Sequence, residues 1–228
     1  MEKIAAVLIA AHVLGDFVFQ PDFIAQNKRQ PLVLLLHAAI HALLAWLLLQ
    51  SWHCWRVPVF VMIAHAAIDL LKQRYPQESL NAFIADQAAH ILCLLILAWY
   101  LVRNSILPGF PGTGYQAIIE VAGFTSVVRG SGFPVAYVSG KLLRENDLNF
   151  DGIPNGGKLI GYFERALIFL FFVIGHPEGI GFLAAAKSIL RFEEAKEQKQ
   201  AEYILIGTLL SFSIAIALSS LTLYAMRL

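Results

Sequence analysis

Four mostly apolar runs open the chain, at about residues 4–20, 32–50, 57–73 and 82–102, and each predicts a membrane helix. A hydrocarbon core of about 30 Å takes roughly 20 helical residues, and these runs have about that length. The links between them, residues 21–31, 51–56 and 74–81, are short and polar. Short links make antiparallel neighbours, so residues 1–102 are expected to form an up-down four-helix membrane bundle. The pattern loosens afterwards. A Pro/Gly stretch at 107–114 precedes a short apolar run at 115–128, and Gly130, Gly132 and Pro134 interrupt the chain before an amphipathic stretch to Arg144. A polar turn region follows at 146–157. Three further apolar runs lie at 161–175, 179–192 and 203–226. The expected architecture is all-α. It comprises a bundle at 1–102, an irregular connection at 103–158 with a short membrane segment, and C-terminal membrane helices at 159–228. Three to four membrane helices thus follow the bundle.

Composition supports a membrane reading. Hydrophobic residues make up 58% and charged residues 14% of the chain. Soluble domains sit near 45–50% and about 25%, so too little charge is present to cover a water-facing surface. A net charge of +1 gives no reason to expect nucleic acid. Cys54 and Cys93 stand singly in or beside apolar runs and carry no redox information. The first apolar run holds His12 and Asp16 with no small-residue cleavage site after it, which argues against a cleaved signal peptide. With the N-terminus placed outside and eight crossings, the inner segments hold eleven Lys and Arg against four in the outer ones. That bias predicts an inner, cytoplasmic location for the links at 21–31 and 74–81 and for the charged link at 193–202.

The polar residues inside the first four runs carry the candidate chemistry. The first run holds His12 and Asp16, the second His37 and His41, the third His65 and Asp69, the fourth Asp86 and His90. Every pair is spaced by four, which places both side chains on one helix face within reach of one ion. Counted along the helices, all eight lie in one slab about 6–14 Å below the same membrane face. Ionisable groups at this depth should point into the bundle. Imidazole and carboxylate are ligands for Zn and for non-haem Fe or Mn, and helix bundles build two-metal sites from such inward groups. The expected cofactor is a divalent metal, Zn foremost with Mn or Fe as alternatives, and eight groups suit two ions. The competing explanation is a buried His–Asp hydrogen-bond network or proton path. Gln20 and Lys72 lie one turn past Asp16 and Asp69, where they could orient a ligand, bind a substrate anion, or simply end the helix and snorkel.

Weaker signals are set aside. Gly152, Gly157 and Lys158 imitate a phosphate loop, but Leu159 replaces the Mg-binding hydroxyl and Pro154 interrupts the loop. Asp147, Asn149 and Asp151 match half a calcium loop, and Lys158 stands where its Glu belongs. In the second half Glu164, Arg165, Lys187 and Arg191 are charges within apolar runs, read as ion pairs that fix packing or as a pocket for a lipid phosphate.

The motifs Ala11-His12-x2-Gly15-Asp16-Phe17-x2-Gln20, Asn27-Lys28, His37-x3-His41, His65-x3-Asp69-x2-Lys72 and Asp86-Gln87-x2-His90 resemble the bacterial membrane-protein family called domain of unknown function 3307. Gly157–Gly161, Glu164-Arg165, Ile180–Phe192 and Glu202–Phe212 resemble the C-terminal part of longer members. The resemblance implies a bacterial inner-membrane protein and brings no established activity. A looser likeness joins the His and Asp helices to bacterial membrane-bound metal-dependent hydrolases, by analogy of ligand type and topology. The leading expectation is a hydrolase of a lipid or phosphoester near the cytoplasmic face, with the bilayer as partner. The alternatives are a divalent-metal or proton transporter, and a non-catalytic membrane partner with a structural metal or His/Asp network.

Overall fold

The computed structural model describes residues 1–74, 79–146, 155–192 and 198–228, with 190–192 by backbone only. Among these residues all regular structure is helical. The chain forms α1 (Glu2–Phe17), α2 (Asp22–Asn27), α3 (Pro31–Leu49), α4 (Arg56–Gln73), α5 (Leu80–Arg103), α6 (Tyr115–Thr125), a π-helical turn (Ser126–Gly130), α7 (Gly132–Glu145), α8 (Gly156–Val173), α9 (Gly179–Phe192) and α10 (Gln198–Met226). It divides into two compact units. The first is Met1–Thr125 with Tyr224–Leu228, and the second is Ser126–Leu223.

Local signals set the helix ends. Pro31 starts α3, where its missing N–H costs nothing and its fixed φ suits the first turn. The Ser79 hydroxyl accepts from Ala82 N at 3.2 Å and caps α5. Gln50 ends α3 at φ 52°, and its side chain both accepts from Thr113 N (3.0 Å) and donates to Thr113 O (2.9 Å). The 21–31 link, for which only its shortness was expected, contains α2. That short helix carries Ile24 into a buried position.

In the first unit α1 and α4 each pack against both α3 and α5. At one end of this helix set the packed interior is apolar. Ile4, Val7 and Leu8 of α1 meet Ala45 and Leu49 of α3, Val57 and Val61 of α4, and Leu94, Leu97 and Leu101 of α5. Six of these ten side chains are large and fully buried, and each contributes on the order of 1.5–3 kcal/mol by leaving the exposed state. The opposite end of the same helices holds the histidines and aspartates. In the second unit, Val127 of the π-turn packs with Ile168 and Phe169 of α8, Ile180 of α9, and Phe212 and Ala215 of α10.

Among the described residues three helices, α3, α5 and α10, are long and apolar enough to cross a membrane. Their outward faces, and that of α4, expose Leu32, Leu36, Ile63, Leu92, Trp99 and Leu209. Apolar exposure on this scale is compatible with a lipid environment and unlike a water-facing surface. The remaining apolar runs give shorter helices. α1 has 16 residues, about 24 Å, and α6 has 11, about 16 Å. Both fall short of the hydrocarbon thickness. The turn at Asp147–Asp151, parts of the 74–81 and 193–202 links, and the Arg191 side chain lie outside the described residues.

Candidate metal centre

Spacing by four puts two polar side chains on one face of each helix, and helix packing turns those faces toward one another. His12 and Asp16 (α1), His37 and His41 (α3), His65 and Asp69 (α4), and Asp86 and His90 (α5) meet in the first unit. Seven of the eight are buried and Asp16 nearly so. The five imidazoles form one cluster. His41 stacks on His65 with ring centres 3.7 Å apart, His65 lies 4.3 Å from His90, His12 stacks on His90 at 4.8 Å, and His37 stands edge-on to His41 at 4.6 Å.

Two sets of ligand atoms converge closely enough to hold an ion. Asp16, His37, His41 and His65 offer atoms that all lie within 4.8 Å of one another, and so do His65, Asp69 and His90. His65 belongs to both. Asp16 Oδ1 is 3.2 Å from His41 Nε2 and 3.4 Å from His37 Nε2. Asp69 Oδ2 is 3.7 Å from both His37 Nε2 and His65 Nε2. These buried His/Asp groups could hold a metal ion. Of the eight residues expected from the sequence, His12 and Asp86 stand outside both sets.

The hydrogen-bond inventory fits a metal. Among the described residues, His37 Nδ1 and Nε2, His41 Nε2, His65 Nε2, His90 Nε2 and Asp86 Oδ1 are buried without a hydrogen-bond partner. The close approaches of His37 and His41 to Asp16 therefore lack hydrogen-bonding geometry. An unsatisfied buried polar group costs about 1–3 kcal/mol, and six in one cluster are expected only where a ligand takes them up. His90 shows how such a nitrogen is prepared. Its Nδ1 lies 2.9 Å from Asp86 O, a carbonyl that can only accept, so Nδ1 carries the proton. In the neutral ring Nε2 is then left with a lone pair, the arrangement that backbone carbonyls commonly impose on metal-binding histidine.

Residues beyond the eight His and Asp complete the site: Lys72, a candidate from its spacing, with Gln87, Lys28 and Gly15, which had no assigned role. Gln87 Nε2 donates to Asp16 Oδ2 at 3.1 Å, and Gln87 Oε1 lies 3.4 Å from His12 Nε2. Gln87 thus joins α5 to α1 and holds both residues. Lys28 Nζ donates to Asp69 Oδ2 at 3.3 Å, and Lys72 Nζ to Asp86 Oδ2 at 2.7 Å. Gly15 lies against the His41 ring, where a Cβ would collide with it. Glycine there lets α1 and α3 approach. The available signals were the i,i+3 relation of Gln87 to His90 and the i,i−1 relation of Gly15 to Asp16. Gln20 has no side-chain hydrogen bond among the described residues.

The second unit keeps its own charges apart from any such cluster. Lys187 Nζ donates to Glu164 Oε2 at 2.7 Å. Arg165 donates from Nε (3.1 Å) and Nη2 (2.9 Å) to Val128 O and from Nη1 (3.3 Å) to Ser211 Oγ. Gly132 and Gly161 line the guanidinium, and at Gly161 a Cβ would stand 2.8 Å from Nη1.

Neither the curated proteins nor the solved structures contain a match to this chain. Residues 4–108, which carry the whole His/Asp cluster with Gly15, Lys28, Lys72 and Gln87, match the family model described as "Protein of unknown function (DUF3307)", and over this segment the resemblance carried by the His and Asp motifs holds.

Proposed function

We propose that this chain is a polytopic membrane protein whose α1, α3, α4 and α5 form a four-helix bundle around a metal-dependent hydrolase centre. Its substrate is a lipid or phosphoester reached from the cytoplasmic face. The observation that carries this reading is the convergence of buried, partnerless imidazole nitrogens from three helices beside two carboxylates of one ligand set or the other. Asp16, His37, His41 and His65 would hold one ion, and His65, Asp69 and His90 a second or alternative one. Mixed imidazole and carboxylate donors suit Zn first, with Mn or Fe as alternatives. When bound, such an ion polarises the scissile group and lowers the pKa of a coordinated water.

The chain's own groups divide the remaining work. Asp86 stands outside both sets. Its Oδ2 is held by Lys72 while the buried Oδ1 has no partner, so Oδ1 is the oxygen free to accept a proton. Gln87 orients Asp16, and the Asp86 carbonyl orients His90. The apolar end, from Ile4 to Leu101, closes the centre on its far side. That closure weighs against the transporter, which needs a polar path to both faces. The unsatisfied nitrogens weigh against a purely structural network, in which each would have found a partner.

Placement in a bacterial inner membrane with the N-terminus outside follows from the family resemblance and from the Lys/Arg excess in the inner segments. The functional test is a screen of purified, Zn-loaded protein against lipid and soluble phosphoesters. Turnover that disappears in Asp86→Asn supports the reading, and no turnover on any of them by metal-loaded protein contradicts it.

A further inference from the structure

We infer that Lys28 and Lys72 receive the phosphoryl group of an anionic substrate at the mouth of the His/Asp centre. This rests on the metal-dependent reading above and narrows its substrate class. The five histidines are buried, whereas the Lys28 and Lys72 side chains keep 21% and 47% of their surface exposed. They come from the same end of the helix set, Lys28 just after α2 and Lys72 in the last turn of α4. Gln73 ties the two segments together by donating to Lys28 O at 2.9 Å. Each ammonium has three donors and, among the described residues, each makes one hydrogen bond, Lys28 to Asp69 and Lys72 to Asp86. Each therefore has two donors to spare, on groups that reach both solvent and the site.

Charge balance selects an anion. Asp16, Asp69 and Asp86 carry three negative charges against two positive on Lys28 and Lys72, and ligating histidines are neutral. One divalent ion turns the site from −1 to +1, and two turn it to +3. A largely buried excess of that size is costly unless an anion enters with the metal. A phosphoryl group brings up to two negative charges and several oxygens, enough to meet both lysines and an ion together. A carboxylate brings one charge and two oxygens. Lysine is also a common point-charge partner of phosphate.

The test is calorimetric titration of the full chain in detergent, Zn-loaded, with metal content measured on the same samples. Inorganic phosphate and short-chain phosphatidic acid are the two probes, for wild type, Lys28→Gln and Lys72→Gln. Loss of a charge-assisted hydrogen bond should weaken binding by about 10-fold or more in each variant while Zn content stays at the wild-type level. Equal affinity for the two probes identifies the phosphoryl group alone as what is recognised, and tighter phosphatidic acid binding identifies a lipid headgroup. Wild type that takes up Zn but ignores both probes overturns this inference and leaves the metal reading standing. The same holds if the variants bind the probes as wild type does, or if they lose Zn in proportion, since the lysines would then only position Asp69 and Asp86. Wild type that takes up no Zn overturns both.

Discussion

In the first unit, ring nitrogens of His37, His41, His65 and His90 are buried against one another without hydrogen-bond partners. In the second unit, the buried Arg165 places all three of its nitrogens on Val128 O and Ser211 Oγ, and Lys187 meets Glu164 at 2.7 Å. Both regions put ionisable groups into apolar surroundings. In the second, Arg165, Lys187 and Glu164 find partners within their own chain, so these charges are accounted for by packing. The first has more ligand atoms than internal partners, and they converge to within 4.8 Å. Burial of charge alone does not mark a binding site. Burial combined with unmet, convergent bonding capacity does.

The largest expected contrast is in metal content. His65 belongs to both ligand sets, so His65→Ala should reduce bound metal to background while the protein still inserts and folds on its apolar packing. Lys187→Ala should leave metal untouched. It should instead strand the Glu164 carboxylate and destabilise the second unit by about 3–5 kcal/mol, read as a lower melting temperature in detergent. If the two substitutions move metal and stability in the same way, the distinction between the regions fails.

A smaller effect is expected at Gln87. Gln87→Leu removes the bridge between Asp16 and His12 without removing a ligand, so metal affinity should fall by about 10–100-fold with little change in fold. Competition with a chelator measures it; unchanged affinity would show that Gln87 serves packing. Gly15→Ala should displace the His41 ring and weaken metal binding in the same direction, whereas a site that does not use His41 would show only a stability change.

Acidity should separate the regions more gently. Histidine binds metal only in its neutral form, so metal retention should decline as pH is lowered from 8 to 5. Arg165 stays charged throughout that range, and its hydrogen bonds to Val128 and Ser211 should hold. Metal content and thermal stability followed together across pH check this. Retention of metal at pH 5 equal to that at pH 8 would argue against imidazole ligands.

Much of the first unit was legible because helical periodicity acts on short spacings. Two polar residues four apart inside an apolar run share a face wherever the helix goes, and burial of a charged face forces it inward. What the periodicity cannot encode is which atoms meet between helices. Gln87 reads as one more polar residue until α5 is seen to place it between His12 and Asp16. Lys28 lies in a link that reads as loop, and α2 brings it back to Asp69. Val128 is an apolar residue whose functional atom is its carbonyl, which accepts from Arg165 beside a π-turn that no side-chain pattern announces. The capacity to cross a membrane was legible where length and apolarity coincide, in α3, α5 and α10. Of the other apolar runs, those in α4 and α8 reach 18 residues but carry three charges each, and those in α1, α6 and α9 are too short.

The most direct test of the account is elemental analysis of the wild-type protein, purified in mild detergent without chelators. One to two divalent ions per chain are expected, Zn foremost. Protein free of bound divalent metal, both as purified and after incubation with Zn and removal of the excess, would contradict it.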